Sequence, residues 1–463
     1  SIAAAARMYA GADGAVIPWT PITDQQISST SAIRLHSILR AITGNLDVVG
    51  GETLGGFNPA YIPESELALH ERLSDEQKAK QLGFADHPVF TYRTAEMLKD
   101  ATNKVWGFPY ADLVMGCHMA NPTNVFRAMA KGDPYPIKAL ITLGNNTLLS
   151  YANQHQILQG LMNQELIVAH EIFMTPTAML ADYVLPGDVF TERNHVADGW
   201  SWGNRLTLSQ KVVDAPEHAS STFQFWTDLG RRMGLAEYFP WDTLEDMLDY
   251  RLSRSGRTFA EFEAATFMEM PTPKFRKYRK NGFATPSGKV ELYSSVLEDL
   301  GFDPLPYYRE GPTPNEEYPY AVFTGVREDP FFQTGQRNIE VLRARCPNPQ
   351  LYLHPTDATR EQLADGDWVR LESSTGSVTA QISIQQSMKE GHIRVPHGWW
   401  YPETRGQENL AGAFVSSDAV LCSDDDEFLD YEQGVPHFKG FPGRIVKTAV
   451  PDMLTAGDTR STA

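Results

Sequence analysis

Three short apolar runs, each ended by turn residues, constrain the fold of the first two hundred residues most strongly. They are Ala139–Leu143 (ALITL), 166–169 (LIVA) and 182–185 (DYVL). A segment long enough for a helix separates the first run from the second. Strands that alternate with helices indicate βαβ units. The sequence therefore predicts a Rossmann-like domain with a parallel sheet.

Other segments of the chain extend this pattern. Residues 15–18 form a further strand-like apolar run after a Gly-Ala-Asp-Gly turn, and 31–43 carry apolar residues near the helical period. Residues 60–110 are more polar and lack a clear period, which predicts an insertion. Helical segments are also predicted over 222–233 and 244–254, between Pro-rich loops.

The C-terminal part has a different composition. The stretch 307–318, YYREGPTPNEEY, is typical of a linker between domains. Beyond it come alternating, β-branched segments at close spacing, which predict a small closed β-barrel: AVFTG, LYLHP, DWVRLES, SVTAQISI and HIRVP. We therefore predict an α/β domain over 1–199, an α-rich connecting region over 200–312 and a C-terminal β-barrel domain of the double-psi kind over 313–463.

Length and charge exclude several classes of protein. A chain of 463 residues is too long for one compact core, which predicts two or three domains. Its net charge of −18 argues against nucleic acid and anionic membrane surfaces as partners. No run of about eighteen apolar residues occurs, so no direct membrane span is predicted. The first residues lack a secretion signal, which leaves the cytoplasm and the periplasm both open.

The three cysteines are Cys117, Cys346 and Cys422, and no two of them form a C-x-x-C pair. An iron–sulfur cluster needs several thiolates within a short segment, so these cysteines are not expected to hold one. They fit no disulfide framework either, and each is expected to be an isolated small apolar residue. The histidines are scattered, so no metal site is predicted within this chain.

Two of the predicted strands end in residues suited to a nucleotide. In a parallel sheet, ligands bind just beyond the carboxyl ends of the strands. A glycine there lets a phosphate approach the backbone, and a carboxylate can accept paired hydrogen bonds from a ribose diol or a guanine edge. Each pattern alone is more often a turn or a helix cap. The candidate residues at these ends are Gly144, Asn145, Asn146, His170, Glu171, Thr175 and Thr177.

Several motifs along the chain occur in a recognisable order. They are GNLDVVGGETLGGFNP, ALITLGNN, LIVAHEIFMTPTAMLADYVLP, ATPSGKVELYSS, VFTGVRED, DGDWVRLESSTGSV and HGWWYPE. This succession resembles the C-terminal part of the molybdopterin oxidoreductases of the dimethyl sulfoxide reductase family, which bind two pterin guanine dinucleotides. The resemblance covers about 1–447 and is weakest between 60 and 130. It is strongest to the subgroup that includes acetylene hydratase and thiosulfate-reductase-like proteins.

The resemblance implies roles for particular residues. Glu171, where the family commonly has aspartate, would bind guanosine together with Thr175 and Thr177. Gly144 and Asn146 would line the same dinucleotide, although Thr147 replaces the usual proline. The C-terminal residues implied to lie near the pterin and its phosphates are Thr324, Gly325, Arg327, Thr334, Gln336, Arg337, His397, Trp399 and Ser417. For Trp399, a packed aromatic turn is an equally good interpretation.

The resemblance also implies a cofactor and a partner. The cofactor would be a molybdenum or tungsten bis(pterin guanine dinucleotide) that serves two-electron chemistry, often oxygen-atom transfer, on a small molecule. In this family the cysteines of the 4Fe–4S cluster and the protein ligand of the metal lie upstream of the segments matched here. The expected partner is therefore the N-terminal half of the same enzyme, in the same polypeptide or a separate chain. An iron–sulfur electron-transfer subunit is a further candidate partner.

Alternative functions remain open at this stage. The HGWWYPE segment is compatible with a non-redox hydratase or transhydroxylase that uses the same cofactor. A degenerate, non-catalytic scaffold subunit would also retain the fold. A nicotinamide-dependent dehydrogenase is disfavoured, because no G-x-G-x-x-G follows the first strand.

Overall fold

The structure is a computed structural model, and it describes residues 1–54, 60–107, 109–110, 119–197, 205–265, 267–269, 274–404 and 409–455. Within this part of the chain the helices are α1 (Ile2–Gly11), α2 (Ser29–Ile42), α3 (Glu64–Leu67), α4 (Asp75–Ala79), α5 (Tyr92–Trp106), α6 (Pro122–Lys131), α7 (Thr147–Ser150), α8 (Gln154–Met162), α9 (Thr222–Arg232), α10 (Leu244–Leu252), α11 (Phe259–Ala265), α12 (Tyr278–Asn281), α13 (Ser295–Leu300), α14 (Glu340–Arg343), α15 (Pro355–Arg360), α16 (Ala413–Ser416) and α17 (Asp452–Thr455).

The strands of the described residues are β1 (Ala139–Leu143), β2 (Leu166–Glu171), β3 (Tyr183–Pro186), β4 (His195–Ala197), β5 (Arg205–Ser209), β6 (Phe267–Glu269), β7 (Tyr320–Val326), β8 (Gln350–Leu353), β9 (Trp368–Glu372), β10 (Ser377–Ile384), β11 (His392–Pro396) and β12 (Lys439–Lys447). They form two three-stranded sheets and one closed barrel. A parallel pair and a closed six-stranded barrel confirm the predicted fold class.

The chain folds into two compact units. The first comprises Ser1–Thr20, Thr30–Asn121 and Pro186–Tyr307, and the second comprises Pro21–Ser29, Pro122–Leu185 and Tyr308–Ala463. The change of unit at Tyr307 falls inside the predicted linker. The three sequence domains given above stay a prediction.

The first unit contains a small antiparallel sheet and several helices. Strands β4, β5 and β6 pair side by side, and helices α10 and α11 contribute to the core beneath them. The polar segment around 60–110 forms α3, α4 and α5. Lys78 is buried there because Glu96 Oε1 lies 2.5 Å from its Nζ atom and Tyr110 Oη lies 3.0 Å from it. The salt bridge and the phenol compensate for the cost of burying the ammonium group.

The parallel pair of the second unit is formed by β1 and β2, whose registers run from Ala139 opposite Leu166 to Leu143 opposite His170. Strand β3 joins the other edge of β2. Asp182 secures that edge, because its carboxylate accepts a hydrogen bond from the Ile167 N–H at 2.7 Å and its own N–H donates to the Ile167 carbonyl at 2.9 Å. Helices α6 and α8 pack beside this sheet around a buried apolar cluster.

The barrel follows the strand order β10, β8, β11, β7, β12 and β9, and it closes on itself. Its core results from alternation along the strands. In β10, for example, Val378, Ala380 and Ile382 are buried while the residues between them face outward. Closure leaves no free edge strand, so all six strands contribute side chains to one apolar core.

Two expectations about strands differ from the structure. Residues 15–18 form no strand, because the N–H groups of Ala15 and Ile17 donate to the side chains of Asn45 and Glu52 instead of to a neighbouring strand. The sixth barrel strand, β12, was not among the predicted segments. It contains Gly440, Pro442 and Gly443, which weaken the strand pattern in the sequence.

Among the described residues, no helix combines the length and the apolar character that a bilayer crossing demands.

Gly443 gives a first test of the barrel packing. A Cβ atom at this position would lie 2.5 Å from Val322 Cγ2 and 3.1 Å from the Glu372 carbonyl oxygen. We expect Gly443→Ala to reduce the free energy of unfolding by about 1–3 kcal/mol, since a packed core resists an added methyl group. The measurement is denaturant unfolding followed by tryptophan fluorescence.

The matched control is Gly11→Ala, since no atom lies within 4 Å of a Cβ built on Gly11. Its effect should stay within about 0.5 kcal/mol. Equal unfolding midpoints for the two variants would contradict the packing described for β12.

Candidate functional site

The candidate residues of the parallel sheet meet where β1 and β2 end. The Gly144 N–H donates to the His170 carbonyl at 2.9 Å, so the two strand ends are adjacent. Gly144 has a φ of +55°, and nothing lies within 4 Å of a Cβ atom built on it. Asn145 is half-buried beside it, and the Thr142 hydroxyl donates to the Asn145 carbonyl at 2.9 Å. The backbone of this turn is therefore open to a ligand on the side of Gly144.

Asn146 and Thr177 lock the two strand-end loops together. The Thr177 hydroxyl donates to Asn146 Oδ1 at 2.8 Å, and it accepts a hydrogen bond from the Leu148 N–H at 2.9 Å. Thr175 stabilises the loop to which it belongs, because its hydroxyl accepts a hydrogen bond from the Ala178 N–H at 3.2 Å. Both threonines are buried, and these hydrogen bonds join groups of the protein itself. The amide nitrogen of Asn146 has no hydrogen-bond partner among the described residues.

Glu171 lies at the end of β2, partly buried. One carboxylate oxygen accepts a hydrogen bond from the Ile172 N–H at 3.0 Å. Burial raises the pKa of Glu171 above its ordinary value, although the N–H groups of Ile172 and Phe173 and the charge of His170 act in the opposite direction. A carboxylate that loses solvation and has few protein donors is a good acceptor for a ligand with paired N–H groups.

In the barrel, Thr324 and Gly325 lie near the carboxyl end of β7, and Arg327 begins the loop that follows. Thr324 is fully buried, and its hydroxyl lies 3.6 Å from Cys422 Sγ and 3.3 Å from the Phe438 carbonyl. Arg327 is exposed, with its guanidinium 4.4 Å from the centre of the Phe332 ring. The structure therefore places Thr324 inside the barrel and Arg327 outside it.

Arg337 is a buried cation, only 1% exposed. Its guanidinium donates to the carbonyls of Gln333 at 2.6 Å and His397 at 2.8 Å, and it lies 5.0 Å from the ring centres of Phe331 and Trp399. No carboxylate of the described residues forms a salt bridge with it, and its Nε atom has no partner there. Burial lowers the pKa of Arg337 to about 9. Its charge makes this loop a favourable place for an anion.

Thr334 and Gln336 belong to the same loop as Arg337. The Thr334 carbonyl accepts a hydrogen bond from Trp400 Nε1 at 2.7 Å, and the Thr334 side chain fills the space beside Gly398. Gln336 is exposed and has a φ of +68°. The loop is thus tied to the segment after β11, and Gln336 projects from it.

The segment after β11 carries His397 and two buried tryptophans. His397 Nδ1 lies 3.1 Å from both carboxylate oxygens of Asp418. Trp399 is fully buried, which agrees with the interpretation as a packed aromatic turn, but its indole N–H has no partner among the described residues. Ser417 is also fully buried, and its hydroxyl likewise lacks a partner within the described ranges.

A cavity of about 540 Å³ brings residues of the sheet and the barrel together. Its residues from the β2 end include Ile172, Phe173 and Met174, which are exposed apolar side chains. Trp400 and Asn338 contribute from the barrel. The sequence motifs contain Trp400 and the residues from Ile172 to Met174, but not Asn338. The apolar residues after Glu171 were not predicted as site residues, because an apolar lining has no pattern of its own along the chain.

Metal ligands are scarce in the part of the chain that the structure describes. No group of three or more His, Cys, Asp or Glu side chains there could hold a metal ion. Cys346 and Cys422 are buried free thiols, and burial raises the pKa of both, that of Cys346 to about 11. Cys117 lies outside the described residues.

Comparison with protein families identifies both halves of this site. Residues 55–232 match the molybdopterin oxidoreductase model, and residues 322–425 match the molydopterin dinucleotide binding domain. The first range contains the ends of β1 and β2, and the second contains the loops after β7 and β11. The fold and these matches define a molybdopterin dinucleotide-binding protein. The chain belongs to the molybdopterin oxidoreductase family.

Similar proteins add detail to this assignment. The chain is 43% identical over 445 residues to acetylene hydratase from Syntrophotalea acetylenica, covering 94% of this chain and 61% of that protein. It is 24% identical over 420 residues to dimethyl sulfoxide reductase DmsA from Escherichia coli, covering 83% of this chain and 48% of that protein. The solved acetylene hydratase from Pelobacter acetylenicus superposes with a TM-score of 0.92 at 41% identity, over 96% of this chain and 63% of the other. The chain therefore spans less than two thirds of these relatives.

The described residues fit a pterin dinucleotide. The Asn146 amide nitrogen, the Ser417 hydroxyl and the Arg337 Nε atom are buried polar atoms without partners in the described ranges, as expected where a polar ligand supplies them. Arg337 carries a positive charge that a pyrophosphate would compensate. The assignment of individual contact residues stays a prediction.

Glu171 provides a test of the guanosine assignment. We expect Glu171→Gln to lower the guanine nucleotide content of the purified holoprotein about tenfold or more, because charge-assisted hydrogen bonds to guanine would be lost. The control is Glu192→Gln, whose carboxylate accepts locally from the Val189 N–H at 2.8 Å. The nucleotide is released by acid and quantified by chromatography. Equal contents in the two variants would remove Glu171 from the binding site.

The same residue gives a pH dependence. Its raised pKa means that the ionised form is lost at a higher pH than for an ordinary glutamate, whose pKa is about 4.3. As the pH falls through that raised pKa, wild-type protein should therefore release its nucleotide. Glu171→Gln should show no such step.

Proposed function

We propose that this chain is the C-terminal part of a molybdenum or tungsten enzyme that binds bis(pterin guanine dinucleotide). The observation that carries the proposal is the convergence of both matched regions on one cavity, with the segment after β2 on one side and the barrel loops on the other. Ligands of α/β proteins bind at such strand ends, where backbone N–H groups are free.

Each half of the site would have a distinct task. Glu171 and the Gly144 turn would hold the guanosine end, by hydrogen bonds to the base and by close approach of the backbone. Arg337 and His397 would face the phosphates and the pterin. Ile172, Phe173 and Met174 follow Glu171 directly and line the cavity, and they would exclude water from the guanosine contacts, which strengthens them.

The bound metal would supply a two-electron couple or a Lewis acid. The residues of this chain would fix the position of the cofactor and balance its negative charge.

We propose that the complete enzyme hydrates a small unsaturated molecule, with acetylene as the first substrate to test. The 43% identity to acetylene hydratase over 445 residues supports this choice. Two-electron redox chemistry, often with oxygen-atom transfer, is the second candidate, and the similarity to dimethyl sulfoxide reductase supports it at 24% identity. The non-catalytic scaffold is the remaining alternative.

A pair of assays separates these candidates. The holoprotein, co-expressed with its N-terminal half, should convert acetylene to acetaldehyde at a rate that added electron acceptors do not change, because hydration transfers no electrons. Headspace chromatography measures the product. Dye oxidation coupled to sulfoxide reduction, without acetaldehyde formation, would favour the redox candidate. Protein without pterin would favour the scaffold.

The proposed partner is the N-terminal half of the enzyme. It would supply the 4Fe–4S cluster and the protein ligand of the metal, and for the redox candidate an iron–sulfur subunit would deliver the electrons that reduce the substrate. Exposed apolar side chains on α1 and α2 support a partner surface: Ile2 is 90% exposed, Met8 77% and Ile42 63%. Apolar groups at such exposure usually mark an interface when they cluster.

Iron analysis tests this division of the enzyme. The 463-residue chain purified alone should show no visible iron–sulfur absorbance, because Cys346 and Cys422 are buried thiols in different parts of the barrel unit with raised pKa values. Co-expression with the N-terminal half should restore the absorbance. Stoichiometric iron and acid-labile sulfide in the isolated chain would contradict the proposal.

A further inference from the structure

Asp418 occupies a central position among the barrel loops, although no motif singled out its side chain. It lies directly after Ser417, at the start of a short 3-10 turn, and it is only 1% exposed. Its carboxylate accepts hydrogen bonds from the Gly398 N–H at 2.7 Å and the Gly325 N–H at 3.1 Å. His397 Nδ1 lies 3.1 Å from both oxygens.

These contacts join three separate segments of the chain. Gly325 lies near the end of β7, His397 and Gly398 follow β11, and Asp418 begins the 3-10 turn that leads to Cys422. The two glycines have φ values of +68° and +59°. A Cβ atom on Gly398 would lie 2.4 Å from Thr334 Cγ2, so only a glycine brings this N–H to the carboxylate without displacing the neighbouring loop.

The charges around Asp418 keep it ionised. Burial raises its pKa, but the charge of His397 and the hydrogen bonds from His397, Gly398 and Gly325 outweigh burial, and the pKa lies below its ordinary value. The other groups that interact electrostatically with it are Lys439, Arg337 and the Cys422 thiol. Burial lowers the pKa of Lys439, and the charge of Asp418 opposes that shift.

The two ring nitrogens of His397 differ in their surroundings. Nδ1 faces Asp418, whereas Nε2 has no hydrogen-bond partner in the described part of the chain. The His397 side chain is 15% exposed, so the described residues do not enclose the ring completely. Which ring nitrogen of a histidine carries a proton depends on the partner of the other nitrogen.

We propose that Asp418 is a positioning residue: it holds His397 with Nδ1 protonated toward its carboxylate, so that Nε2 faces the pterin dinucleotide. This inference rests on the proposed function for the identity of the ligand. The pairing of the two side chains is independent of any ligand. Asp418 acts through His397 and through the two glycine N–H groups, and its own oxygens stay within the protein.

The test uses the full chain with ¹⁵N-labelled histidine, because the ¹⁵N shifts of Nδ1 and Nε2 report which nitrogen is protonated. His397→Gln identifies the His397 signals by their loss. Asp418→Asn should change the Nδ1 signal of His397, since an amide offers one acceptor oxygen for three N–H donors. The control is Asp367→Asn, a barrel carboxylate 2.7 Å from Lys447 Nζ at the surface, and it should leave the His397 signals unchanged.

Cofactor content provides the second measurement, in the holoprotein. Asp418→Asn and His397→Gln should each lower the pterin content about tenfold or more, measured by the fluorescence of the oxidised pterin released. The double variant should lose no more than the stronger single variant, because both changes break one interaction. His397→Gln retains both backbone donors to Asp418, so it is the variant to use if Asp418→Asn does not fold.

Two results would overturn the inference. One is unchanged ¹⁵N signals of His397 in Asp418→Asn. The other is a loss of pterin in the double variant equal to the product of the losses in the two single variants. If the wild-type protein, purified under the same conditions, contains no pterin, the proposed function is refuted and so is the assignment of the ligand. The histidine signals would then still decide whether Asp418 positions His397.

Discussion

His397 is held from two sides by buried groups of opposite charge, and the arrangement of the barrel loops depends on this. Arg337 donates to its carbonyl at 2.8 Å, and Asp418 accepts from its ring at 3.1 Å. Arg337 and Asp418 are each about 1% exposed, and no salt bridge joins them within the described residues. Burying a charge without hydrogen bonds lowers the stability of the fold by roughly several kcal/mol. Both side chains must therefore keep the hydrogen bonds to their backbone partners. The loops after β7 and β11 are fixed by that requirement.

The fold could be predicted from the sequence wherever a strand had a continuous pattern. The runs ALITL and LIVA are apolar and bounded by turn residues, and they form β1 and β2. The barrel strand β10 alternates over its whole length. Strand β12 could not be predicted in this way, because Pro442 lacks an N–H group and the nearby Gly440 and Gly443 carry no side chain. Its place in the barrel comes from pairing with β7 and β9, which are distant in sequence.

The candidate site was predictable to a similar extent. Parallel pairing explains why Gly144 and His170 are adjacent, since carboxyl ends of parallel strands lie at one edge. The roles of Thr175 and Thr177 were harder to infer, because a hydroxyl that can bind a ligand can equally bind its own loop. Asp418 gave no signal: an aspartate in SSDAV has the composition of a surface turn, and only the fold buries it.

A dinucleotide-binding region of this kind is compatible with hydration and with redox chemistry for a physical reason. The candidate contacts on this chain are suited to a guanine edge, to phosphates and to the rim of a pterin, through Glu171, Arg337 and His397. Those parts of the cofactor do not change when the reacting molecule is an alkyne or a sulfoxide. The choice between adding water and moving electrons must depend on groups next to the metal, because only they touch the reacting atoms. Similarity in the dinucleotide-binding region is therefore strong evidence for the cofactor, whereas the reaction has to be inferred from the groups that surround the metal.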